Sequence, residues 1–507
     1  MRYRIHQIKL EPDEEQAVIP RKIRRRLHRP DLVIDDWQIV RESIDARDHR
    51  HLMLVYSVDF TSRQQVACAE APDLHYRLPR PRRREMPRPV VVGFGPCGIF
   101  AALVLAEIGL APIVIERGRR VAERDRDVRA FWERGPPRSG IQRPVRSEGG
   151  AGTFSDGKLT TGIHDYRVRK VLEELAAAGG GEEILYRHRP HIGTDRLRQV
   201  VPRLRAKVLA AGGEIRFGTR LDGLGVRDGR LREAILSDGT RLRTDDLILA
   251  AGHSARDTFE MLAAAGIEMT QKPFSMGVRI EHPQRLINLA RYGSEEAAAR
   301  LGPADYRLSW HCADGRGVYT FCMCPGGEVI VASSEPGCLV INGMSDHSRS
   351  GKFANSALLA EVRPEDLSSS DPLAGVALQR RCEQQAFAGA GQRYRPLRCT
   401  WGEFADSTAA ACLPDFAVSA ICEAMPHLGQ RLRGFDDPRA RLYGIETRSS
   451  SPVRIVRDRR LMSPSLEGFY PAGEGAGYAG GIVSAAVDGL RAAEAVAERE
   501  GDYDLNQ

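Results

Sequence analysis

Three glycines spaced G-x-G-x-x-G, namely Gly93, Gly95 and Gly98, directly follow the β-branched run Val90–Val92 and constrain this chain more than any other feature. The run demands a buried strand, and the glycines an abrupt turn into a helix. Gly93 permits the tight turn, Gly95 lets a pyrophosphate approach bare backbone, and Gly98 lets helix and strand pack closely. The helix opening at Pro96 and Cys97 presents unpaired N–H groups and its positive dipole end to the phosphates. Cys97 is small enough to pack beneath that helix. A second strand, residues 111–116, ends 18 residues beyond Gly98 in a carboxylate. Glu116, with Arg117 alongside, is placed to accept hydrogen bonds from both ribose hydroxyls, and an acid there disfavours a 2′-phosphate. Strand, helix, strand and terminal acid predict a βαβ unit that holds a dinucleotide.

The stretch from Val90 to Ile115 carries a single charge, Glu107, and is long enough for a bilayer span of roughly 20 residues. Gly93, Gly95, Gly98 and Gly109 fall at turn positions and predict two buried strands and a helix instead. At 507 residues the chain suits about three domains. Its 42% hydrophobic and 28% charged residues exclude wholesale disorder. Ten cysteines contain no C-x-x-C pair, so no structural metal is expected and the free thiols point to a reducing cytoplasm. The opening MRYRIHQIKLEPDEE lacks the apolar core of a signal peptide. Neither secretion nor a membrane span is expected. Of the net charge of +7, most is early: residues 1–90 hold 19 Lys/Arg against 14 Asp/Glu, leaving 55 against 53 elsewhere. A basic excess offers sequence-independent affinity for phosphates. Tyr3, Trp37, Tyr56 and Phe60 are too scattered to interleave with it, so nucleic acid is not an expected partner.

Composition shifts divide the chain into four parts. Residues 1–86 read as a small α+β domain, with strands over 3–10 and 52–60, a basic helix over 16–27, and a Pro/Arg-rich linker whose stretch 78–89 has four prolines. Residues 87–270 carry the dinucleotide unit and further strands over 212–249, with RDGR and SDGT as hairpin turns. Residues 271–430 read as a substrate domain, strand-rich to about 340 and mainly helical over 353–391 after an irregular start. Residues 431–507 return to a strand over 466–472, a glycine turn and a helix over 482–499.

Two later motifs decide which dinucleotide is held. F-Y-P-A-G-E-G-A-G-Y-A-G-G-I, residues 469–482, places Gly473 and Glu474 in a turn and Gly480, Gly481 and Ile482 at the start of a helix. Glutathione-reductase-like flavoproteins use a similar arrangement, usually with Asp, to hold a ribitol hydroxyl, and the helix N-terminus stabilises negative charge on the reduced ring. Gly475, Gly477 and Gly480 repeat the G-x-G-x-x-G spacing, but no strand with a terminal acid follows. T-D-D-L-I-L-A-A-G-H-S-A, residues 244–255, resembles the strand-to-turn motif that closes a flavoprotein's small β-meander, with Ala251 and Gly252 beside the cofactor. Three landmarks in this order predict FAD. The expected fold is α/β: a glutathione-reductase-like FAD-binding Rossmann fold with an inserted mixed β-sheet/helical substrate domain and an N-terminal α+β domain.

Between the first two landmarks in chain order lies R-S-E-G-G-A-G-T-F-S-D-G-K-L-T-T-G, residues 146–162. Gly149, Gly150, Gly152 and Thr153 would offer backbone amides to pyrophosphate or the ring edge. Lys158 could pair with phosphate or reach flavin N5. S-E-G-G-A-G-T-F-S-D-G-K-L, G-H-S-A-R-D-T, T-F-C-M-C-P-G-G, N-G-M-S and G-E-G-A-G-Y-A-G-G-I-V-S-A-A-V-D-G together resemble the bacterial uncharacterised FAD-dependent dehydrogenase family, more distantly related to flavoproteins that include geranylgeranyl reductases. The likeness spans roughly residues 1–500. It implies an FAD-binding fold with an appended N-terminal domain, and no particular substrate.

Cys322 and Cys324 lie on a predicted strand, where a period of two puts both thiols on one face. They are candidates for electron exchange with the flavin or for substrate contact, against the plainer reading of two buried small residues. His253, His311 and His347 are candidate proton donors that read more simply as hydrogen-bonded loop histidines. Arg279 could hold an anionic substrate, although a salt bridge to Glu281 or another acid is the simpler expectation. The leading function is a dehydrogenase exchanging a hydride between flavin N5 and a small-molecule substrate, reduced by transient NAD(P)H or a protein donor. Two alternatives are a monooxygenase, which usually carries an Asp-Gly pair just after the closing strand where this chain has Ala251, Gly252, His253 and Ser254, and an RNA- or protein-docking flavoprotein of the tRNA-modification type.

Overall fold

The fingerprint strand Val90–Val92 lies at the centre of a five-stranded parallel sheet in the computed structural model of the chain, in the order Phe469–Pro471, Leu247–Leu249, Val90–Val92, Ile113–Glu116, Glu214–Phe217. The three valines are buried on both faces, as a parallel sheet covered on both sides requires. The structure describes residues 1–45, 47, 51–82, 86–134 and 148–499. Arg83–Glu85 of the linker and Arg146 and Ser147 at the head of the second glycine loop lie outside the described residues. Against the sheet the apolar helix Pro96–Glu107 packs on the C-terminal helix Ile482–Glu498. Their approach depends on Gly489, where a Cβ would strike the Cys97 carbonyl. Beside them runs the antiparallel meander Leu221–Arg227, Arg230–Leu236, Arg241–Arg243. Its first turn is Asp228-Gly229, with φ of +54° and +71°, the left-handed pair that a two-residue hairpin favours.

A six-stranded antiparallel sheet forms the second large layer, in the order Ser309–His311, Gly317–Cys324, Phe353–Val362, Phe274–Pro283, Arg441–Glu446, Leu397–Thr400. Helix Asp415–Arg431 covers it. Here the expectation of a mainly helical 353–391 is corrected: Phe353–Val362 is a ten-residue strand, and the helix is confined to Ala374–Gly389. The segment FANSALLAEV is rich in helix formers, but it is paired on both sides and almost wholly buried, and that tertiary setting overrides propensity. The hairpin Glu328–Val331 with Ile341–Met344 packs beside this sheet.

The N-terminal sheet runs Asp36–Asp45, Met53–Thr61, Arg2–Leu10, Ala69–Glu70. Ile19 and Ile23 of helix Ile19–Arg26 join its core with Ile8, Tyr56 and Phe60. Among the described residues no helix is long and apolar enough to cross a membrane.

Candidate functional site

The cradle begins at Gly93, whose φ of +98° admits no ordinary side chain and where a Cβ would collide with the Ala250 carbonyl. A Cβ on Gly98 would strike the Gly93 carbonyl, so the turn and its helix are locked together. No side chain caps Gly95 at the helix N-terminus, and Pro96 stands in the first turn. The N–H groups there remain open to an anion. Opposite stands the second glycine loop: a Cβ on Gly95 would lie 3.6 Å from the Gly150 Cα, and Gly149 N–H donates to the Phe94 carbonyl at 2.8 Å. Gly149 and Gly150 are both left-handed. Thr153 is buried, with its hydroxyl on the Glu148 carbonyl.

Glu116 is buried and accepts N–H groups from Phe94 at 2.8 Å and Gly118 at 2.7 Å. These bonds hold the carboxylate at the strand end. Arg117 forms a bidentate pair with Asp257 at 2.8 and 2.7 Å, tying the strand end to helix Arg256–Ala264. Sequence reasoning missed Arg124. Its guanidinium is buried, donates to the Glu148 and Gly150 carbonyls, and stacks 4.6 Å over Phe154, so it supports the second loop from below. Burial pulls its pKa down to about 10.

At the other end Gly473 is left-handed, and a Cβ there would meet Cys97 at 2.9 Å. Cys97 is thus a packing partner that joins the fingerprint helix to the late loop. Gly475 packs on Gly252, which brings the second and third landmarks together beside Ala251. Asp488, also missed from sequence, accepts the Gly473 N–H at 2.7 Å and a bidentate Arg457, and so fixes the turn bearing Glu474. Glu474 is 26% exposed, with His253 Nε2 3.8 Å from its carboxylate. Burial lifts its carboxyl to about 7, against the pull of Lys272. Helix Ile482–Glu498 starts at an uncapped, left-handed Gly481. A Cβ on Gly480 or Gly481 meets nothing within 4 Å, whereas a Cβ on Gly152 would meet the Ile482 side chain at 3.3 Å.

Lys158 pairs by backbone with His191. Near it the buried Asp156 accepts Ser345 Oγ and both arms of Arg349, anchoring the second loop to the 345–349 segment. Cys322, Lys158 and Glu474 lie within electrostatic reach of one another through Cys322. The expectation that a regular strand aligns the two thiols is corrected. Cys322 has a φ of +43° and the ladder is bulged between Phe321 and Cys324, so period-two alternation does not apply there.

Arg279 is not free for an anionic substrate. It is fully buried and bonded to Glu446 at 2.6 Å, Asn355 at 2.6 Å and the Cys322 carbonyl at 2.5 Å. Glu281 instead accepts Tyr443 and Arg441. His347 stacks on His191 and bonds the Ile192 carbonyl. His311 lies on an edge strand, lining a separate cavity with Lys272, Tyr319 and Glu361. A smaller, mainly apolar cavity is bounded by Ala151, Phe154, His253, Ile330, Asn342 and Arg448.

Over residues 273–411 the chain matches the family described as FAD-dependent protein, C-terminal domain-like, and over residues 2–61 a domain of unknown function. It is 42% identical to an uncharacterized protein of Clostridium beijerinckii over 531 residues, covering 98% of this chain and 99% of that one. Among solved structures it is similar to the flavin-dependent brominase Bmp2, at a TM-score of 0.39 and 13% identity over 81% of this chain and 78% of that one. It is likewise similar to a geranylgeranyl bacteriochlorophyll reductase-like protein of Thermoplasma acidophilum, at 0.35 and 12% over 81% and 77%. The chain belongs to the family of uncharacterised bacterial FAD-dependent proteins that includes the Clostridium protein. FAD is its cofactor, and its function is redox. The residues present fit that group: a side-chain-free cradle for a pyrophosphate at Gly95 and Gly150, and open space at Gly480 and Gly481 beside a carboxylate.

Proposed function

We propose that the chain is a cytoplasmic FAD-dependent oxidoreductase of the dehydrogenase type acting on a small molecule. The observation that carries this reading is the approach of three distant segments to one another, with Lys158 and Glu474 both within electrostatic reach of Cys322. Bound FAD supplies the two-electron chemistry, exchanging a hydride at flavin N5 with substrate.

In this reading Gly93, Gly95, Gly98 and Glu116 seat the adenylate end, and Gly149, Gly150, Gly152 and Thr153 line the pyrophosphate. Ala251, Gly252, Gly473, Glu474 and Gly480–Ile482 surround the ring end. Arg117, Pro96 and Cys97 support the cradle from behind. Glu474, lifted to about 7, holds a proton or releases it near neutral pH, within 3.8 Å of His253. Lys158 places a cation where negative charge develops. Substrate enters the apolar cavity beside His253, whose walls from the Glu328–Met344 hairpin exclude water.

The test is anaerobic mixing of the yellow holoprotein with NADH or NADPH. Bleaching of the flavin at a turnover-competent rate supports a nicotinamide-dependent dehydrogenase. A flavin that bleaches only with a reduced protein donor moves the electron source, and one that no donor bleaches sinks the reading.

A further inference from the structure

The strand Gly317–Cys324 ends in a distortion. Phe321 faces Ala357 and Cys324 faces Asn355, so three steps of this strand span two steps of its partner. In a regular strand residues i and i+2 stand about 6.6 Å apart, near the far limit of roughly 6.8 Å that a disulfide bridges between Cα atoms. The bulge draws this segment in, and the left-handed φ of +43° at Cys322 turns its side chain out of the strand pattern. Both cysteines are free thiols. Their side chains lie within electrostatic reach of each other. The Cys324 sulfur is also 3.3 Å from the Cys322 carbonyl and 3.6 Å from the Arg279 guanidinium. Arg279 is held rigidly between Glu446 and Asn355, and the strand Ile341–Met344 closes over it at Gly343, where a Cβ would strike both Arg279 and Asn355.

The charged groups facing Cys322 are Lys158 from the second loop, Arg279 and Glu446 from the large sheet, Asp156, and Glu474 from the ring-end turn. The neighbouring Cys324, Lys158 and Arg279 hold the Cys322 thiol below its ordinary range, which favours the thiolate that thiol–disulfide chemistry requires. The buried Cys324 keeps its proton.

We infer that Cys322 and Cys324 form a second redox centre, a dithiol–disulfide couple that exchanges two electrons with FAD. In one direction the S–S bond forms between the Cys322 thiolate and Cys324, and the Cys324 S–H bond breaks. That proton and the two electrons pass to oxidised FAD, and the reverse step returns them. This inference rests on the FAD reading above.

Anaerobic titration of air-oxidised holoprotein with dithionite reads the couple without any substrate. The native chain should take up two electrons per flavin more than the Cys324→Ser variant, a doubling of the uptake. Peptide mapping of the native chain, denatured with free thiols blocked, needs no variant and should find residues 322 and 324 joined, lighter by two hydrogens. Equal uptake by both proteins, or full alkylation of both cysteines in the air-oxidised native chain, overturns the couple while flavin bleaching leaves the FAD reading standing. A chain that carries no flavin overturns both.

Discussion

At the scale of single residues, the site depends on what is missing from Gly95 and on what Glu474 cannot easily give up. A Cβ at Gly95 would make only ordinary contact with Gly150, so Gly95→Val should fold and yet fill the cradle. Flavin released on denaturation should fall at least about tenfold, a loss near 1.4 kcal/mol or more, and a variant that keeps stoichiometric flavin would refute the assignment of that turn. Glu474 has its folded pKa raised to about 7. The folded state therefore holds its proton more tightly than the unfolded state, and its contribution is fully present below about 4.5 and lost as pH rises through 7. Melts of flavin-stripped protein should show native stability falling relative to Glu474→Gln between pH 5 and 8, by up to roughly 3 kcal/mol. A pH-independent difference contradicts the burial argument. The places of Glu116 at a strand end and of Gly473 and Glu474 in the turn after a strand were legible, because each follows a short apolar run at a fixed spacing. Arg124 was not, because nothing distinguishes it among the charges of helix Val121–Arg134. Asp488 left a weak signal as the first charge in the small, apolar run that opens helix Ile482–Glu498.

Among the elements, the loops are held by buried ion pairs. Glu383 on helix Ala374–Gly389 accepts Arg256, Arg448 and Thr447, joining that helix to helix Arg256–Ala264 and to the segment after strand Arg441–Glu446. Glu383→Ala leaves two buried guanidinium groups short of their partner and should cost on the order of 3–5 kcal/mol, read as a lowered Tm. A change within experimental scatter would show that the pairs are replaceable. Arg448 and Arg256 hold the Glu383 carboxyl down to about 2. The stabilisation is present above about 4.5 and is lost as pH falls toward 2, and the acid limb of the native melt should be steeper than that of the variant. Three of the parallel strands, Val90–Val92, Ile113–Glu116 and Leu247–Leu249, were legible as short β-branched or aliphatic runs with a glycine soon after. Phe353–Val362 was not, since its alanines and leucines carry no period and only the neighbouring strands at Phe274–Pro283 and Gly317–Cys324 decide its state. The Cys322 bulge was likewise invisible, because the extra residue is defined by the register of a partner some 30 positions away.

Across the whole molecule, strands from residues 90, 247 and 469 lie side by side, so the segments proposed to seat the cofactor's two ends meet only in the folded chain. The linker takes part in this closure. Tyr76 bonds Glu494 at 2.9 Å, and Arg82 N–H donates to the Ala497 carbonyl, which runs residues 76–82 along the C-terminal helix. Most of the early basic excess falls in the linker, where residues 71–90 hold six Lys/Arg against two Asp/Glu; the small N-terminal unit is nearly balanced, with Arg24, Arg25 and Arg26 in the last turn of its helix. Filter binding with tRNA across a salt series should show no salt-dependent affinity, and a steep dependence would revive the RNA-docking alternative. The most direct test of the account is the flavin content of the native chain, measured by denaturing it and separating the released cofactor. One FAD per chain is the expected result. Colourless protein that yields no flavin after expression with cofactor available, or one that releases only the mononucleotide, would contradict it.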